Sequence, residues 1–174
     1  AFRTFWHEEP DDVWLMENPA ARPRFQMFSR CRSVASMADD VAAVSALNAP
    51  SLIVERQGDA DPCAGPDASA GDVPPARFTV LKAKSTRYRF HVSGASPSWL
   101  FVADANYPGW KATVDGKQVP VYSAEVLGKA VAVPPGEHDV ALRFISRSFI
   151  LGLAITLATL IAMIAAGVMR RVRA

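Results

Sequence analysis

The sequence predicts a mainly β protein, an antiparallel, jelly-roll-like β-sandwich with one short amphipathic helix, followed by a single C-terminal transmembrane helix. Two observations lead to this fold class. From Arg77 onward, short segments of alternating apolar and polar residues are separated by turn residues, which is typical of antiparallel sheets with one buried face. Residues 149–169 then form an uncharged apolar segment. As a helix it would span about 30 Å, the thickness of the hydrocarbon core of a bilayer.

The sequence divides into an N-terminal segment, a β-domain and a membrane anchor. Residues 1–23 are rich in aromatic, acidic and proline residues and are predicted to be irregular. Residues 24–145 form the predicted extracytoplasmic β-sandwich domain, in which residues 57–75 are a Gly-, Pro-, Asp-, Ala- and Ser-rich loop. The transmembrane helix covers residues 149–169, and residues 170–174 form a short cytoplasmic tail.

A short amphipathic helix is predicted early in the β-domain. Ser36 and Asp39 have the spacing of a capping box, which satisfies free backbone N–H groups at a helix start. Apolar residues recur every three or four positions along this stretch: Val34, Met37, Val41, Val44 and Leu47. Asn48 and Pro50 end the pattern. We expect this face to pack on the sandwich.

Turn residues define two hairpins in the second half of the domain. Within residues 87–92, aromatic and aliphatic residues alternate with basic and polar ones, which predicts a strand with one buried face. Asp115-Gly116 is a two-residue hairpin turn, because glycine accepts the positive φ that such turns require. Pro134-Pro135-Gly136 predicts a second turn between two strands.

The apolar C-terminal segment carries small residues that are candidates for packing against another membrane helix. Small side chains let helix backbones approach closely in lipid. These residues are Gly152, Ala158, Ala162 and Ala166. Alanine is common elsewhere in the chain, so a helix without a packing face remains the alternative. The basic residues of the tail, at positions 170, 171 and 173, predict a cytoplasmic C-terminus and a β-domain outside the cytoplasm.

Composition and motifs exclude several classes of function. The formal net charge of +2 does not favour nucleic acid as a partner. Cys31 and Cys63 form no CxxC pair and have no histidine at ligand spacing, so no metal site is expected. In an oxidising compartment they are candidates for a disulfide; otherwise both are free cysteines without a functional role. No cofactor-binding motif or activated nucleophile is apparent, and this chain alone is expected to be non-enzymatic.

The candidate functional site is the stretch around Tyr-Pro-Gly-Trp at residues 107–110. In one interpretation, Trp110 closes one end of the sandwich core and Pro108-Gly109 makes the corner. In the other, the aromatic residues form a surface patch for a sugar ring, a partner protein or lipid headgroups. The residues that would bind a partner or a sugar are Asp104, Asn106, Tyr107, Trp110 and Lys111.

These residues also carry a resemblance to a known family. ANYPGWKATVDGKQVPVY, followed by VAVPPGEHDVALRF and an apolar helix, resembles the C-terminal part of YfhO-like bacterial membrane proteins. ENPAARPRF, residues 17–25, resembles another recurrent phrase of that family, and the resemblance covers about residues 13–170. It implies a many-spanning membrane protein of the glycosyltransferase-C type, which uses lipid-linked sugars to modify cell-envelope polymers. In that family the extracytoplasmic β-domain precedes the last membrane helix.

No catalytic residue can be transferred from this resemblance. The reaction of the family is expected to depend on acidic residues in loops of the multi-spanning part, which this sequence does not contain. Two functions therefore follow from the sequence. The preferred one is a non-catalytic, membrane-anchored extracytoplasmic subunit that stabilises or organises a larger membrane complex, for example a respiratory or photosynthetic one. It is preferred because a single span cannot enclose a lipid-sugar site.

The alternative is a C-terminal fragment of a YfhO-like glycosyltransferase, whose β-domain helps to position a sugar donor or a cell-envelope acceptor. The expected partners are accordingly the lipid bilayer and other transmembrane subunits, with carbohydrate as a further candidate. No cofactor is expected in either case.

Overall fold

The computed structural model describes residues 3–8, 13–17, 22–46, 51–58, 61–64 and 73–173. Its first half contains β1 (Arg3–Glu8), β2 (Val13–Glu17), β3 (Phe25–Phe28), β4 (Cys31–Val34), α1 (Met37–Ala46), β5 (Leu52–Glu55) and β6 (Arg77–Lys84). Its second half contains β7 (Arg87–Gly94), β8 (Ser98–Val102), β9 (Trp110–Val114), β10 (Lys117–Val119), β11 (Tyr122–Ala124), β12 (Gly128–Val133), β13 (Gly136–Phe144) and α2 (Arg147–Arg173).

Two sheets form the β-domain, which confirms the predicted mainly β sandwich with a C-terminal apolar helix. One sheet has five strands in the order β10-β9-β13-β7-β6, and the other has six in the order β3-β8-β12-β11-β5-β4. One strand pair differs from the predicted antiparallel arrangement, because β4 and β5 are parallel. The helix α1 connects them, and a helical crossover returns the chain to the same end of the sheet, which permits parallel pairing.

The main core lies between the two sheets. In β7 the predicted alternation is confirmed: Tyr88, Phe90 and Val92 are buried and the residues between them are exposed. They pack against Leu100 and Val102 of β8 in the opposite sheet, among other buried residues. The strand β8 is buried on both faces, which is why its sequence is continuously apolar and shows no alternation.

The second face of β8 belongs to a smaller apolar cluster on the outer side of the six-stranded sheet. Trp99 and Phe101 lie there with Leu52 and Val54 of β5. Cys31 and Cys63 pack on this cluster and are joined by a disulfide. The bridge ties the predicted loop to β4.

The predicted amphipathic helix corresponds to α1. Ser36 caps it, since the Ser36 hydroxyl accepts a hydrogen bond from the Asp39 backbone N–H at 3.3 Å, as the capping-box spacing predicted. The helix lies against β4 and β5. Of the predicted apolar face, Val34 is buried, whereas Val41 is 47% exposed. Leu47 is outside the described residues, as are the side chains of Met37 and Val44.

The prediction of an irregular N-terminal segment over residues 1–23 is wrong for residues 3–8 and 13–17, which form strands. β1 and β2 pair in antiparallel fashion, with Arg3 opposite Glu17 and Glu8 opposite Val13. Pro and acidic residues made this segment look irregular, but Pro10, Asp11 and Asp12 fall between the two strands in the sequence. The strands themselves contain the aromatic and β-branched residues that favour extended backbone.

The predicted Asp115-Gly116 turn is confirmed, with positive φ of 50° and 79° at its two residues. A second turn of this kind, between β11 and β12, was not predicted. Glu125 and Val126 have φ of 48° and 73° there. A branched residue is rarely found in this backbone region, so the sequence carried no turn signal at this position.

The predicted membrane helix is confirmed as one continuous helix, α2, which is somewhat longer than residues 149–169. Over Arg147–Ala165 its mean hydropathy is 2.4, and none of this stretch is buried against the rest of the chain. Ser146 caps its start, because its hydroxyl accepts the Phe149 backbone N–H at 3.2 Å. The hydroxyl of Thr156 donates to the Gly152 carbonyl, which satisfies a polar group that lipid could not.

Candidate functional site

The residues around Tyr-Pro-Gly-Trp lie at the end of the sandwich from which α2 emerges. β8 and β13 end here, and β7 and β9 begin here; the register pairs Phe144 with Trp110 and Arg143 with Arg87. The connection from β8 to β9 crosses this end of the sandwich. It therefore brings Asp104 to Gly109 over the base of the core, next to the start of the membrane helix.

The Asp104 carboxylate is the centre of a polar cluster beneath this connection. Arg24 donates to both carboxylate oxygens, from Nε at 3.0 Å and from a terminal nitrogen at 2.8 Å. The Tyr88 hydroxyl donates a short hydrogen bond to the same carboxylate, and Arg24 also donates to the Tyr88 hydroxyl at 3.0 Å. Arg24 precedes β3 and Tyr88 lies on β7, so the cluster joins the two sheets.

These contacts fix the charge states of the cluster. Burial alone would raise the pKa of the Asp104 carboxyl, but hydrogen bonds from Arg24 and Tyr88 and the nearby positive charges lower it overall. Burial, followed by the hydrogen bond to Asp104, raises the pKa of Tyr88 to about 12. At neutral pH the cluster therefore holds an ionised Asp104, a charged Arg24 and a neutral Tyr88.

Lys129 on β12 is fully buried behind this cluster, at 0% exposure. Its ammonium group donates to the Asp104 backbone carbonyl at 2.8 Å and lies 4.3 Å from the centre of the Trp110 ring. Burial lowers the pKa of Lys129 to about 8, although the negative charge of Asp104 acts in the opposite direction. A cation over an aromatic ring is stabilised most where water is excluded, which is the situation here.

Trp110 acts as a half-buried lid on the end of the core. Its ring stacks on Tyr88 with centroids 5.4 Å apart and an interplanar angle of 12°, and it also contacts Phe144 at 5.6 Å. With Lys129 against it as well, the ring is occupied by the protein's own side chains. This geometry supports the structural interpretation of Trp110.

Pro108-Gly109 forms the corner that carries the chain into β9. Gly109 has φ of +124°, and a Cβ atom there would lie 2.6 Å from the Ile145 carbonyl oxygen. Only glycine fits this close approach. The approach in turn permits the Ile145 backbone N–H to donate to the Gly109 carbonyl at 2.9 Å. The loop is thus bonded to the residues that lead into the membrane helix.

Tyr107, by contrast, is 65% exposed. It stands at the rim of a cleft of about 390 Å³, which is lined on its inner side by Arg24, Tyr88, Asp104 and Trp110. Of the predicted aromatic pair, only Tyr107 therefore presents its ring to the surroundings.

The other predicted site residues have different surroundings. The Asn106 side chain donates to the Ser123 hydroxyl at 3.1 Å, and its backbone N–H donates to the Leu127 carbonyl at 2.8 Å. Asn106 therefore anchors the connection to β11 and to the turn that follows it. Lys111 is exposed on the outer face of β9. The structure brings Asp104, Tyr107 and Trp110 to one cleft, and places Asn106 and Lys111 outside it.

Sequence reasoning missed three members of this cluster: Arg24, Tyr88 and Lys129. Lys129 left a signal, because it is in phase with the buried Val131 and Val133 on β12 and so breaks an apolar face. Arg24 and Tyr88 looked like an ordinary strand flank and an ordinary core residue. Their pairing with Asp104 depends on contacts between residues that are distant in sequence.

The small residues proposed for helix packing lie on α2. Gly152, Ala158 and Ala162 are exposed within this chain. The side chain of Ala166 is outside the described residues. Among the residues that the structure describes, no group of three or more His, Cys, Asp or Glu side chains is arranged to hold a metal ion.

Comparison with known proteins gives one match. The sequence model of the family described as bacterial membrane protein YfhO matches residues 72–156. The match begins before β6, covers β6 to β13 and extends into the first part of α2, so it includes Asp104, Trp110 and Lys129. No curated protein and no solved structure matches the chain significantly. Residues 72–156 thus carry the sequence pattern of a YfhO-type bacterial membrane protein, as the resemblance in the sequence indicated.

Proposed function

We propose that the chain is a non-catalytic, membrane-anchored extracytoplasmic module that stabilises or organises a larger membrane protein complex. The observation that carries this proposal is the tight coupling between the sandwich and the helix. Only Ile145 and Ser146 separate β13 from α2, and Ile145 is hydrogen-bonded to Gly109. A module built in this way holds the orientation of its membrane helix relative to the domain.

The apolar surface of α2 supports an assembly role. The stretch Arg147–Ala165 makes no buried contact with the β-domain, so its whole circumference is available to lipid or to other helices. Within it, Gly152, Ala158 and Ala162 offer the small side chains that allow close helix packing.

The proposed orientation places the β-domain in the periplasm and the C-terminus in the cytoplasm of a bacterial inner membrane. The Cys31–Cys63 disulfide supports it, because disulfides persist in oxidising compartments. The basic residues 170, 171 and 173 after the helix also support it, since basic segments are retained in the cytoplasm.

The geometry of the cleft supports a non-catalytic role. The carboxylate of Asp104 is already occupied by Arg24 and Tyr88, and the ammonium of Lys129 is occupied by a backbone carbonyl and Trp110. Groups committed in this way stabilise the fold and are poorly placed to exchange protons with a substrate.

The size of the native complex tests the proposal. The full chain, expressed at its native level and extracted in mild detergent, should migrate in a complex much larger than a single chain. The double variant Ala158→Leu/Ala162→Leu should reduce this complex, because bulky residues prevent close helix approach. Leu157→Ile is the matched control on the same helix and should leave the complex intact. A wild-type chain that migrates alone would refute the proposal.

A second candidate function is that of the sugar-positioning domain of a YfhO-like glycosyltransferase. The family match over β6 to β13 and the cleft beneath the exposed Tyr107 favour it. An exposed tyrosine ring next to charged groups is a suitable platform for a sugar. Saturation-transfer NMR of the full chain in micelles with cell-envelope sugars should then show contacts that Tyr107→Ala abolishes. Tyr107→Phe, which keeps the ring, should retain most of them. No transfer from the wild-type chain would exclude this function.

A further inference from the structure

The outer face of the five-stranded sheet carries a row of basic residues close to the membrane helix. The strand register places Lys84 opposite Arg87, Arg87 opposite Arg143, and Arg143 opposite Lys111. The row crosses the neighbouring strands β6, β7, β13 and β9. At a strand spacing of about 4.8 Å it extends over roughly 14 Å. All of these side chains are exposed.

The positive charge continues on the same face and then changes sign. Two residues further from the helix, Lys82 lies opposite Arg89. Beyond them Asp139 lies opposite His91, and its carboxylate is within hydrogen-bonding distance of the His91 ring at 3.1 Å; Glu137 follows at the far end of β13. The sheet therefore has a basic half next to the helix and a more acidic half away from it.

Nothing within the described part of the chain neutralises this basic half. The ion pairs in the described part of the chain are made by basic residues outside this row, among them Arg22, Arg24 and Arg56. Like charges directly opposite each other on a sheet are destabilising. A row of uncompensated basic residues is therefore complementary to an anionic surface outside the protein.

The nearest such surface is the membrane itself. Arg143 stands one residue before the end of β13, and α2 begins at Arg147. An extended backbone covers about 13 Å over that interval. Long Lys and Arg side chains can bridge the remaining distance by directing their charged ends towards the headgroups. The row thus lies beside the leaflet in which α2 begins.

We propose that this basic row, together with Lys82 and Arg89, is a docking surface for the anionic phospholipid headgroups of that leaflet. The outer face of the five-stranded sheet thereby contacts the membrane surface. Charge attraction to the lipid adds to the covalent anchor and fixes the tilt of the domain. The inference requires only that α2 is inserted in a membrane, and it does not depend on the proposed assembly role.

Lysine acetylation of the full chain in nanodiscs tests this surface. One set of discs contains phosphatidylcholine alone, and the other contains phosphatidylcholine mixed with anionic phosphatidylglycerol. Anionic lipid should slow the labelling of Lys84 and Lys111 about fivefold, the effect of roughly one charge contact with such a surface. Lys117, which is exposed on β10 near the opposite end of the domain, is the internal control and should react equally in both discs. About 1 M salt should remove the protection, because it shortens the Debye length to ~3 Å.

Charge reversal identifies the residues responsible. Arg87→Glu/Arg143→Glu should abolish the lipid-dependent protection of Lys84 and Lys111. The matched control Arg77→Glu lies at the far end of β6 and should preserve it. All three substituted residues are exposed. Near-ultraviolet circular dichroism checks that each variant is folded. Equal labelling in the two discs would overturn the proposal, as would loss of protection in Arg77→Glu. Protection produced by inorganic phosphate in neutral discs would show a general anion site and would also overturn it.

Discussion

Replacement of Trp110 by alanine is the sharpest test of the end of the sandwich. The ring is half-buried and has three close neighbours: Tyr88 with centroids at 5.4 Å, Phe144 at 5.6 Å, and the Lys129 ammonium at 4.3 Å. Removing a fully buried aromatic ring costs about 3–5 kcal/mol of unfolding free energy, and partial exposure of Trp110 lowers this to about 2–3 kcal/mol. Loss of the buried cation–ring contact adds about 1 kcal/mol. We therefore expect a loss of about 3–4 kcal/mol for Trp110→Ala.

Tyr107→Ala is the matched control, three residues away in the same connection. Because Tyr107 is 65% exposed, its removal should change the unfolding free energy by no more than about 0.5 kcal/mol. Trp110→Phe, which keeps an aromatic ring over Lys129, should fall between the two alanine variants.

Thermal unfolding in detergent micelles, followed by near-ultraviolet circular dichroism, provides the assay. For a domain of this size, each 1 kcal/mol shifts the melting temperature by roughly 3–5 °C, so Trp110→Ala should melt about 10–20 °C below wild type. Tyr107→Ala should melt close to wild type. A loss below about 1 kcal/mol for Trp110→Ala would refute the lid interpretation. Equal losses for both alanine variants would instead show that the whole connection is structural.

Three further predictions concern charge and cross-linking. The hydrogen bond to Asp115 raises the pKa of His138 above its ordinary 6.5, so its stabilisation is complete below pH 6.5 and is lost as pH rises through the raised pKa. Asp115→Asn should flatten this part of a plot of melting temperature against pH. Because burial lowers the pKa of Lys129 to about 8 from its ordinary 10.5, the unfolded chain binds more protons above pH 8 and stability should rise between pH 8 and 10. Lys129→Met should remove this rise in chemical denaturation. Cys31→Ser should lower the unfolding free energy by about 3–4 kcal/mol, since the disulfide with Cys63 joins positions 32 residues apart.

Each of these predictions has its own contradicting result. An unchanged pH profile in Asp115→Asn would show that the pair with His138 contributes nothing to stability. A stability rise that persists in Lys129→Met would assign it to another group. Two free thiols in non-reduced, denatured protein from the native membrane would show that the bridge does not form.

The strands and turns of the second half of the domain could be predicted because each depends on residues that are neighbours in the sequence. The alternation in β7 follows from one buried face. The Asp115-Gly116 pair is by itself sufficient to predict the hairpin turn between β9 and β10. Other features lacked a local signal. The parallel pairing of β4 with β5 depends on how α1 crosses the sheet, and the turn at Val126 adopts a positive φ that no local residue preference predicts.

The candidate site was predictable only in part for the same reason. Tyr-Pro-Gly-Trp was recognisable as a turn with two aromatics, but their opposite environments were not. Trp110 became a lid because β7 and β12 bring Tyr88 and Lys129 against it, and neither strand is adjacent to it in sequence. Tyr107, three residues earlier in the same connection, is 65% exposed.

The sequence by itself determined the mainly β fold, the membrane helix and the resemblance to YfhO-type proteins, because alternation, an uncharged apolar segment and motif spacing are properties of neighbouring residues. The tertiary structure alone decided which charges are satisfied and which are not. It pairs Arg24 with Asp104 across 80 positions and buries Lys129 against an aromatic ring. It also aligns Lys84, Arg87, Arg143 and Lys111 in one exposed row through strand register. Register depends on long-range hydrogen bonding between strands, and no short stretch of sequence contains that information.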